Sequence, residues 1–199
     1  IKSLYISKAE ILGRLIYSGF EIISYKEINN IFYIISEKKN HPSNDKEVSF
    51  GPLFKMKRVG KNGKIIKVFK LRTMHPYSEY LHDYMIKNFG YSDKGKIKND
   101  FRLTEWSGFI RKYWIDEIPQ LINFFRGELD LIGPRPVSER YFQDIPSDLK
   151  KMRLKHNPGC IPPYVSLNMK SDLKNVYKSE LIYFKSYKNK PFTTKFKFL

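Results

Sequence analysis

Asp116 and Glu117 are adjacent carboxylates in the stretch Ile115-Asp116-Glu117-Ile118-Pro119-Gln120-Leu121-Ile122-Asn123. Further on, Arg135 stands between two prolines in Gly133-Pro134-Arg135-Pro136. Pro119 suits a first helical turn, which puts Asp116 near the cap of a helix over Glu117 to Phe125. Two readings of that position stand side by side. In one, Asp116 is an ordinary cap and Glu117 complements the helix dipole. In the other, the ionised aspartate is held ready as a nucleophile, and the neighbouring carboxylate offers Mg2+ a hard oxygen ligand. Arg135 has its backbone restricted on both sides, and its planar guanidinium matches a phosphate or a carboxylate. A solvated arginine on a surface turn is the plainer reading of the same residues.

These groups need elements to position them. Phe54 to Val59 and Ile65 to Leu71 have strand character, joined by Gly60-Lys61-Asn62-Gly63, where Asn-Gly favours a hairpin turn. Lys70 and Arg72 alternate about Leu71, so a strand would direct both to one face. That face is either solvent-facing or a clamp for a diphosphate. Arg111, and Arg102 before it, are each candidates to pair with the acidic dyad or to form surface ion pairs.

Residues 1–37 read as a small strand–helix–strand unit. Ser7 and Glu10 form a capping box, Leu12, Leu15, Ile16 and Phe20 continue an apolar face, and Gly19 is a stop. Residues 38–50 are polar and read as a linker, leaving 51–199 as the catalytic domain. Further helices are expected over 77–89, Thr104 to Trp114 and 138–154, with a loop over 90–100. The Pro- and Gly-rich segment 157–163 is expected to be irregular.

The 199 residues carry 37 Lys and Arg against 20 Asp and Glu, a net charge of +17, so an anionic partner is expected. Aromatics make up 16%, and basic plus aromatic describes both a nucleic-acid binder and a protein seated on lipid. The tail from Tyr183 to Leu199 mixes rings and lysines as a membrane interface would require. No apolar run approaches the roughly 20 residues that span a bilayer. One cysteine, Cys160, excludes an internal disulfide framework. His41, His75, His82 and His156 have no zinc-site spacing. The chain begins at Ile1 rather than Met, which suggests a fragment or a processed form.

Four segments in order resemble the bacterial sugar transferase family, the monotopic polyprenyl-phosphate phosphoglycosyl transferases. Phe54-Lys55-Met56-Lys57-Arg58-Val59-Gly60-Lys61-Asn62-Gly63-Lys64 is similar to that family's F-K-Q-x-R-x-G-x-x-G-K. Val68 to Met74 is similar to Y-K-F-R-T-M, and Asp100 to Thr104 to D-x-R-I-T. Asp116 to Asn123, with Gly127-Glu128 and Gly133 to Pro136, is similar to D-E-L-P-Q-L-x-N, G-E/D and G-P-R-P.

The resemblance implies an α+β catalytic fold, a small antiparallel hairpin sheet among several helices, associated with a membrane. It implies transfer of a phospho-sugar from a nucleoside diphosphate sugar, usually a UDP-sugar, to undecaprenyl phosphate. Asp116 would be the nucleophile, Glu117 the Mg2+ ligand, and Lys70, Arg72, Arg111 and Arg135 the phosphate-binding cations. It further implies the cytoplasmic face of the bacterial inner membrane, an anionic lipid surface as partner, and no nucleic acid. Two departures are visible. Residues 1–50 hold a strand–helix–strand unit and a polar linker where the family has a re-entrant membrane helix, so that helix is expected before Ile1, or else this branch docks differently. Pro158-Gly159-Cys160-Ile161-Pro162-Pro163 keeps only Pro-Gly of the usual P-G-I-T-G-L, and Glu180 stands nearest to a family aspartate. A catalytically silent membrane-peripheral scaffold and a basic nucleic-acid-binding module are the competing readings, and neither needs Asp116.

Overall fold

A computed structural model of the chain describes residues 6–46, 48, 50–90 and 97–199. The chain folds into two compact units, each discontinuous in sequence: Ile1–Pro52 with Arg72–Tyr113, and Leu53–Leu71 with Trp114–Leu199.

In the first unit, α1 (Lys8–Tyr17) starts where expected. The Ser7 hydroxyl accepts from the Glu10 N–H at 3.2 Å. The Glu10 carboxylate does not reach back to complete the box; it takes the Arg14 guanidinium at 2.6 Å instead. Gly19, at φ +88°, stops the helix. Phe20 therefore opens a strand rather than extending the helical face. Strand β1 (Phe20–Ile28) pairs antiparallel with β2 (Ile31–Lys38) across Asn29-Asn30, both at positive φ. Asparagine tolerates that geometry, so Asn-Asn was the overlooked hairpin signal. The described order is thus helix–strand–strand, and the expected first strand falls within residues 1–5, outside the described residues. The segment after β2 is extended but tied down, its Asp45 carboxylate accepting from the Tyr80 hydroxyl at 2.9 Å.

The expected Tyr-rich helix appears as a 3-10 turn (Ser78–Leu81) running into α2 (His82–Phe89). Ala9, Leu12, Ile22, Leu81 and Met85 form this unit's core. Helix α3 (Ser107–Lys112) occupies the middle of the expected Thr104–Trp114 helix.

The second unit is built on β3 (Leu53–Val59) and β4 (Ile65–Leu71), antiparallel with Leu53 opposite Leu71 and Val59 opposite Ile65. Asn62 and Gly63 both take positive φ in the turn, as their types predict. A 3-10 turn (Ile115–Glu117) precedes α4 (Gln120–Phe125), and β5 (Asp130–Ile132) follows. The expected helix over 138–154 is two helices, α5 (Glu139–Asp144) and α6 (Ser147–Leu154), because Pro146 interrupts it.

The segment 157–163 corrects the expectation of irregular structure. Its Gly159–Ile161 is strand β6, parallel to β5. A Cβ at Gly159 would lie 2.0 Å from the Gly133 nitrogen, so these two backbones meet only because both residues are glycine. Among the described residues the expected single small sheet is therefore three two-stranded sheets.

Helices α7 (Pro163–Ser166), α8 (Leu173–Asn189) and α9 (Pro191–Lys197) complete the α+β chain. Tyr183, Phe184 and Phe198 are buried with Ile132, Ile145 and Leu149 in the core, not free for lipid as the tail's composition suggested. Phe192 and Phe196 stay exposed. Among the described residues, no helix is long and apolar enough to cross a membrane.

Candidate functional site

The second unit brings Lys70, Asp116 and Glu117 together. Strand β4 delivers Lys70 near its end. Trp114, at φ 58°, turns the chain into the 3-10 turn that carries both acids. Left-handed backbone at so bulky a residue is uncommon and strained. Asp116 is 8% exposed. It makes no capping hydrogen bond, and the residue at the cap of α4 is Pro119. The plain reading of Asp116 as a helix cap is thereby overturned. The Lys70 ammonium lies 2.6 Å from Glu117 Oε1 and 3.5 Å from Asp116 Oδ2.

Two amides absent from the sequence-level site complete this arrangement. Gln120 Nε2 donates to Glu117 Oε2 at 2.8 Å, so Glu117 is held at both oxygens. The other end of that amide, Gln120 Oε1, is buried with no hydrogen-bond partner among the described residues. Asn123 is fully buried and joins α4 to β4: its Oδ1 accepts from the Phe69 N–H at 3.0 Å. Its Nδ2 donates to the Lys67 carbonyl at 2.8 Å and to Glu128 Oε2 at 2.6 Å. The sequence signal for both was a pair of amides three residues apart in an otherwise apolar run.

Arg135 is exposed, with Nη1 donating to the buried Tyr164 hydroxyl at 3.0 Å. Its carbonyl accepts from Arg153 at 3.2 Å, and Arg153 is itself locked to the fully buried Glu180. Burial pushes the Glu180 carboxyl up, against the opposing pull of Arg153. Glu180 is thus committed to an internal ion pair.

Arg72 and Arg111 belong to the first unit. Arg72 Nε donates to the Gly51 carbonyl at 2.9 Å, and Arg111 Nε to the Thr73 hydroxyl at 2.9 Å. Arg102, a candidate partner of the dyad, is buried and taken by Asp100 at 2.7 Å.

The turn offers a metal oxygen ligands: the Asp116 and Glu117 carboxylates and, bonded to Glu117, the Gln120 amide with its unpartnered oxygen. Such a set suits Mg2+, which binds through one or two carboxylates and leaves room for water and substrate phosphate. Among the described residues no group of three or more His, Cys, Asp or Glu is placed to enclose a metal, so phosphate oxygens would have to complete the shell.

The fold and this acid–lysine turn define a protein built around a buried and a half-buried carboxylate with a compensating cation. Residues 46–194 match the model of the bacterial sugar transferase family, and the chain belongs to that family. It is similar to the UDP-galactose-lipid carrier transferase of Erwinia amylovora, 40% identical over 47% of this chain and 22% of that protein. It is also similar to the undecaprenyl-phosphate galactose phosphotransferase of Salmonella typhimurium, 38% identical over 48% of this chain and 22% of that one. With a putative undecaprenyl-phosphate N-acetylgalactosaminyl 1-phosphate transferase of Bacillus subtilis it shares 35% identity over 51% of this chain and 54% of that protein. The chain thus spans only a part of each of these relatives.

Proposed function

We propose that the chain is the transferase portion of an undecaprenyl-phosphate sugar phosphotransferase acting in polysaccharide assembly. The observation that carries this reading is the buried Asp116, free of any capping role, beside a lysine-held Glu117 in a family-matched segment. The names of the similar proteins support the acceptor and the sugar class.

An Asp116 oxygen attacks the phosphorus that bears the sugar in a UDP-sugar. The bond from that phosphorus to the bridging oxygen breaks, and its electron pair leaves with UMP. A phosphate oxygen of undecaprenyl phosphate then attacks the same phosphorus and displaces the aspartate. Two steps let one small site meet a soluble donor and a lipid acceptor in turn. Glu117, with the Asp116 carboxylate and the Gln120 amide oxygen nearby, would hold Mg2+, which supplies positive charge to the diphosphate. Lys70 keeps the free carboxylates compensated and, like Arg135 of the same unit, offers a cationic donor to phosphate.

Ile118, Leu121, Ile122 and Phe125 recur at helical spacing and are exposed, Ile118 by 57% and Phe125 by 82%. With the excess of lysine, that stripe supports a seat on the cytoplasmic face of the bacterial inner membrane.

The test is UMP release from a panel of UDP-sugars with undecaprenyl phosphate and Mg2+, comparing wild type and Asp116→Asn. A fall on the order of 10³-fold or more is expected for the variant. Equal release from both would remove Asp116 as nucleophile. A folded wild type that releases nothing with any sugar would favour a silent scaffold.

A further inference from the structure

Arg58 and Arg135 of the second unit have no carboxylate partner among the described residues. Arg58 lies near the end of β3 on the strand face that also carries Met56, and it is half-buried. Among the described residues its guanidinium donates only to the Lys57 carbonyl at 2.8 Å and to the Met56 sulfur at 3.0 Å. A thioether is a weak acceptor, and a carbonyl brings no net charge. Buried charges are normally paired, and among the described residues Arg58 has no carboxylate partner.

Its charged neighbour is another cation, Arg135. Burial first, and the Arg135 charge next, lower the Arg58 pKa from its ordinary value. The two segments are pinned by the Val59 N–H, which donates to the Val137 carbonyl at 3.0 Å. The Pro134-Arg135-Pro136 turn is held on its other side by Arg153 and by the Gly159 N–H, which donates to the Pro134 carbonyl at 2.9 Å. Neither arginine's backbone can relax away from the other cheaply. Arg135 spends a donor on the Tyr164 hydroxyl, which accepts there and so keeps its own O–H to give. The result is two guanidinium forks and a hydroxyl carried on adjoining segments, with positive charge in excess.

We propose that Arg58, Arg135 and Tyr164 form a phosphoryl-binding site, with Arg58 as a substrate-binding residue. A phosphate oxygen set matches guanidinium forks, and its charge removes the repulsion between them. The site exists independently of the transfer reaction. Only its natural ligand, the diphosphate of the sugar donor or the phosphate of the lipid acceptor, rests on the function proposed above.

The full chain is titrated calorimetrically with inorganic pyrophosphate at fixed salt, as wild type, Arg58→Met, Arg58→Lys and Lys188→Gln. Lys188 is an exposed residue of α8 and controls for general charge. Arg58→Met should weaken binding about ten-fold or more, Arg58→Lys less, and Lys188→Gln less than about two-fold. Unliganded Arg58→Met should melt no lower than wild type, because a repulsion has gone. Equal weakening in Arg58→Met and Lys188→Gln would mean an adventitious ion only, and unchanged binding in Arg58→Met would also overturn the site. If Arg58→Met does not fold, wild-type affinity in Arg58→Lys, which keeps the charge but loses the fork, overturns it. The two sources separate by turnover: a raised KM for UDP-sugar in Arg58→Lys assigns the donor, and a raised KM for undecaprenyl phosphate in vesicles assigns the acceptor. Neither KM moving would remove Arg58 from the reaction. A wild type without turnover defeats the transfer reading alone, since the pyrophosphate titration needs none.

Discussion

Replacing Asn123 by alanine tests whether the link between β4 and α4 is as strong as its geometry implies. The side chain is fully buried and makes three hydrogen bonds, to the Phe69 N–H, the Lys67 carbonyl and Glu128. Alanine leaves the Phe69 N–H unpaired at a buried residue, at a cost of about 1–3 kcal/mol. Glu128 is half-buried and recovers part of its lost bond from water, so it adds about 1 kcal/mol. Together these cost about 2–4 kcal/mol, a large share of the roughly 5–15 kcal/mol that holds a native domain. Urea unfolding followed by circular dichroism would read this as a midpoint about 1–2 M lower, for a slope near 2 kcal/mol/M. Asn123→Asp sharpens the test. Its Oδ1 keeps the Phe69 N–H, but the second oxygen faces the Lys67 carbonyl and the Glu128 carboxylate. At neutral pH it should be at least as unstable as the alanine variant, and it should recover towards about pH 4, where a proton can be shared between the two acids. A loss below about 1 kcal/mol for alanine, or an aspartate variant as stable as wild type at neutral pH, would refute the reasoning.

Three other consequences can be checked on the same protein. Glu180→Gln leaves Arg153 buried without its counter-charge and should cost about 3–5 kcal/mol in urea unfolding, whereas a surface pair would cost under about 1 kcal/mol. His156, packed on Phe184 and Tyr187, has its pKa lowered from 6.5, first by burial and then by Lys61. Below its unfolded value the unfolded chain binds the proton more readily, so stability should fall from about pH 7 to about pH 5.5, and His156→Gln should flatten part of that fall in a melting series. Burial, with the Glu117 charge next, pushes the Cys160 thiol up from 9.0 to about 11. Iodoacetamide at about pH 8 should therefore label the folded protein roughly 100-fold more slowly than the urea-unfolded chain, as read by mass spectrometry.

The β3–β4 hairpin was readable because its instructions are local: β-prone residues on each side and Asn62-Gly63 between them. The start of α1 was readable for the same reason, since Ser7 acts on a residue three positions away. What escaped depended on distant partners. Gly159 looks like a helix breaker until Gly133, far away in the chain, supplies the backbone it packs against. Tyr183, Phe184 and Phe198 look like interfacial aromatics until Ile132 and Ile145 cover them. At the site, the residue types Asp116, Glu117 and Lys70 were visible, and strand alternation placed Lys70 correctly near the end of β4. The amides that orient them were not, because Gln120 and Asn123 acquire meaning only when α4 meets β4. Arg102 was a candidate for the dyad by charge alone, and Asp100, two residues before it, had the prior claim.

The second unit handles positive charge in three different ways, and the contrast says where a ligand belongs. Arg153 is buried and fully answered by Glu180; its task is internal, to hold the turn that carries Arg135. Lys70 is answered by two carboxylates at once, so an incoming cation would compete with it and an incoming phosphate would draw it away. Among the described residues Arg58 and Arg135 are answered by no carboxylate, although the Val59–Val137 hydrogen bond holds their segments together. A fold that neutralises Arg153 so completely does not lack carboxylates to spend near Arg58. The deficit is local, it is enforced by hydrogen bonds on both sides of the Pro-Arg-Pro turn, and a phosphoryl group is the chemistry that would cancel it. A pyrophosphate isotherm on Arg58→Met therefore probes the electrostatic logic of the unit as well as one residue of it.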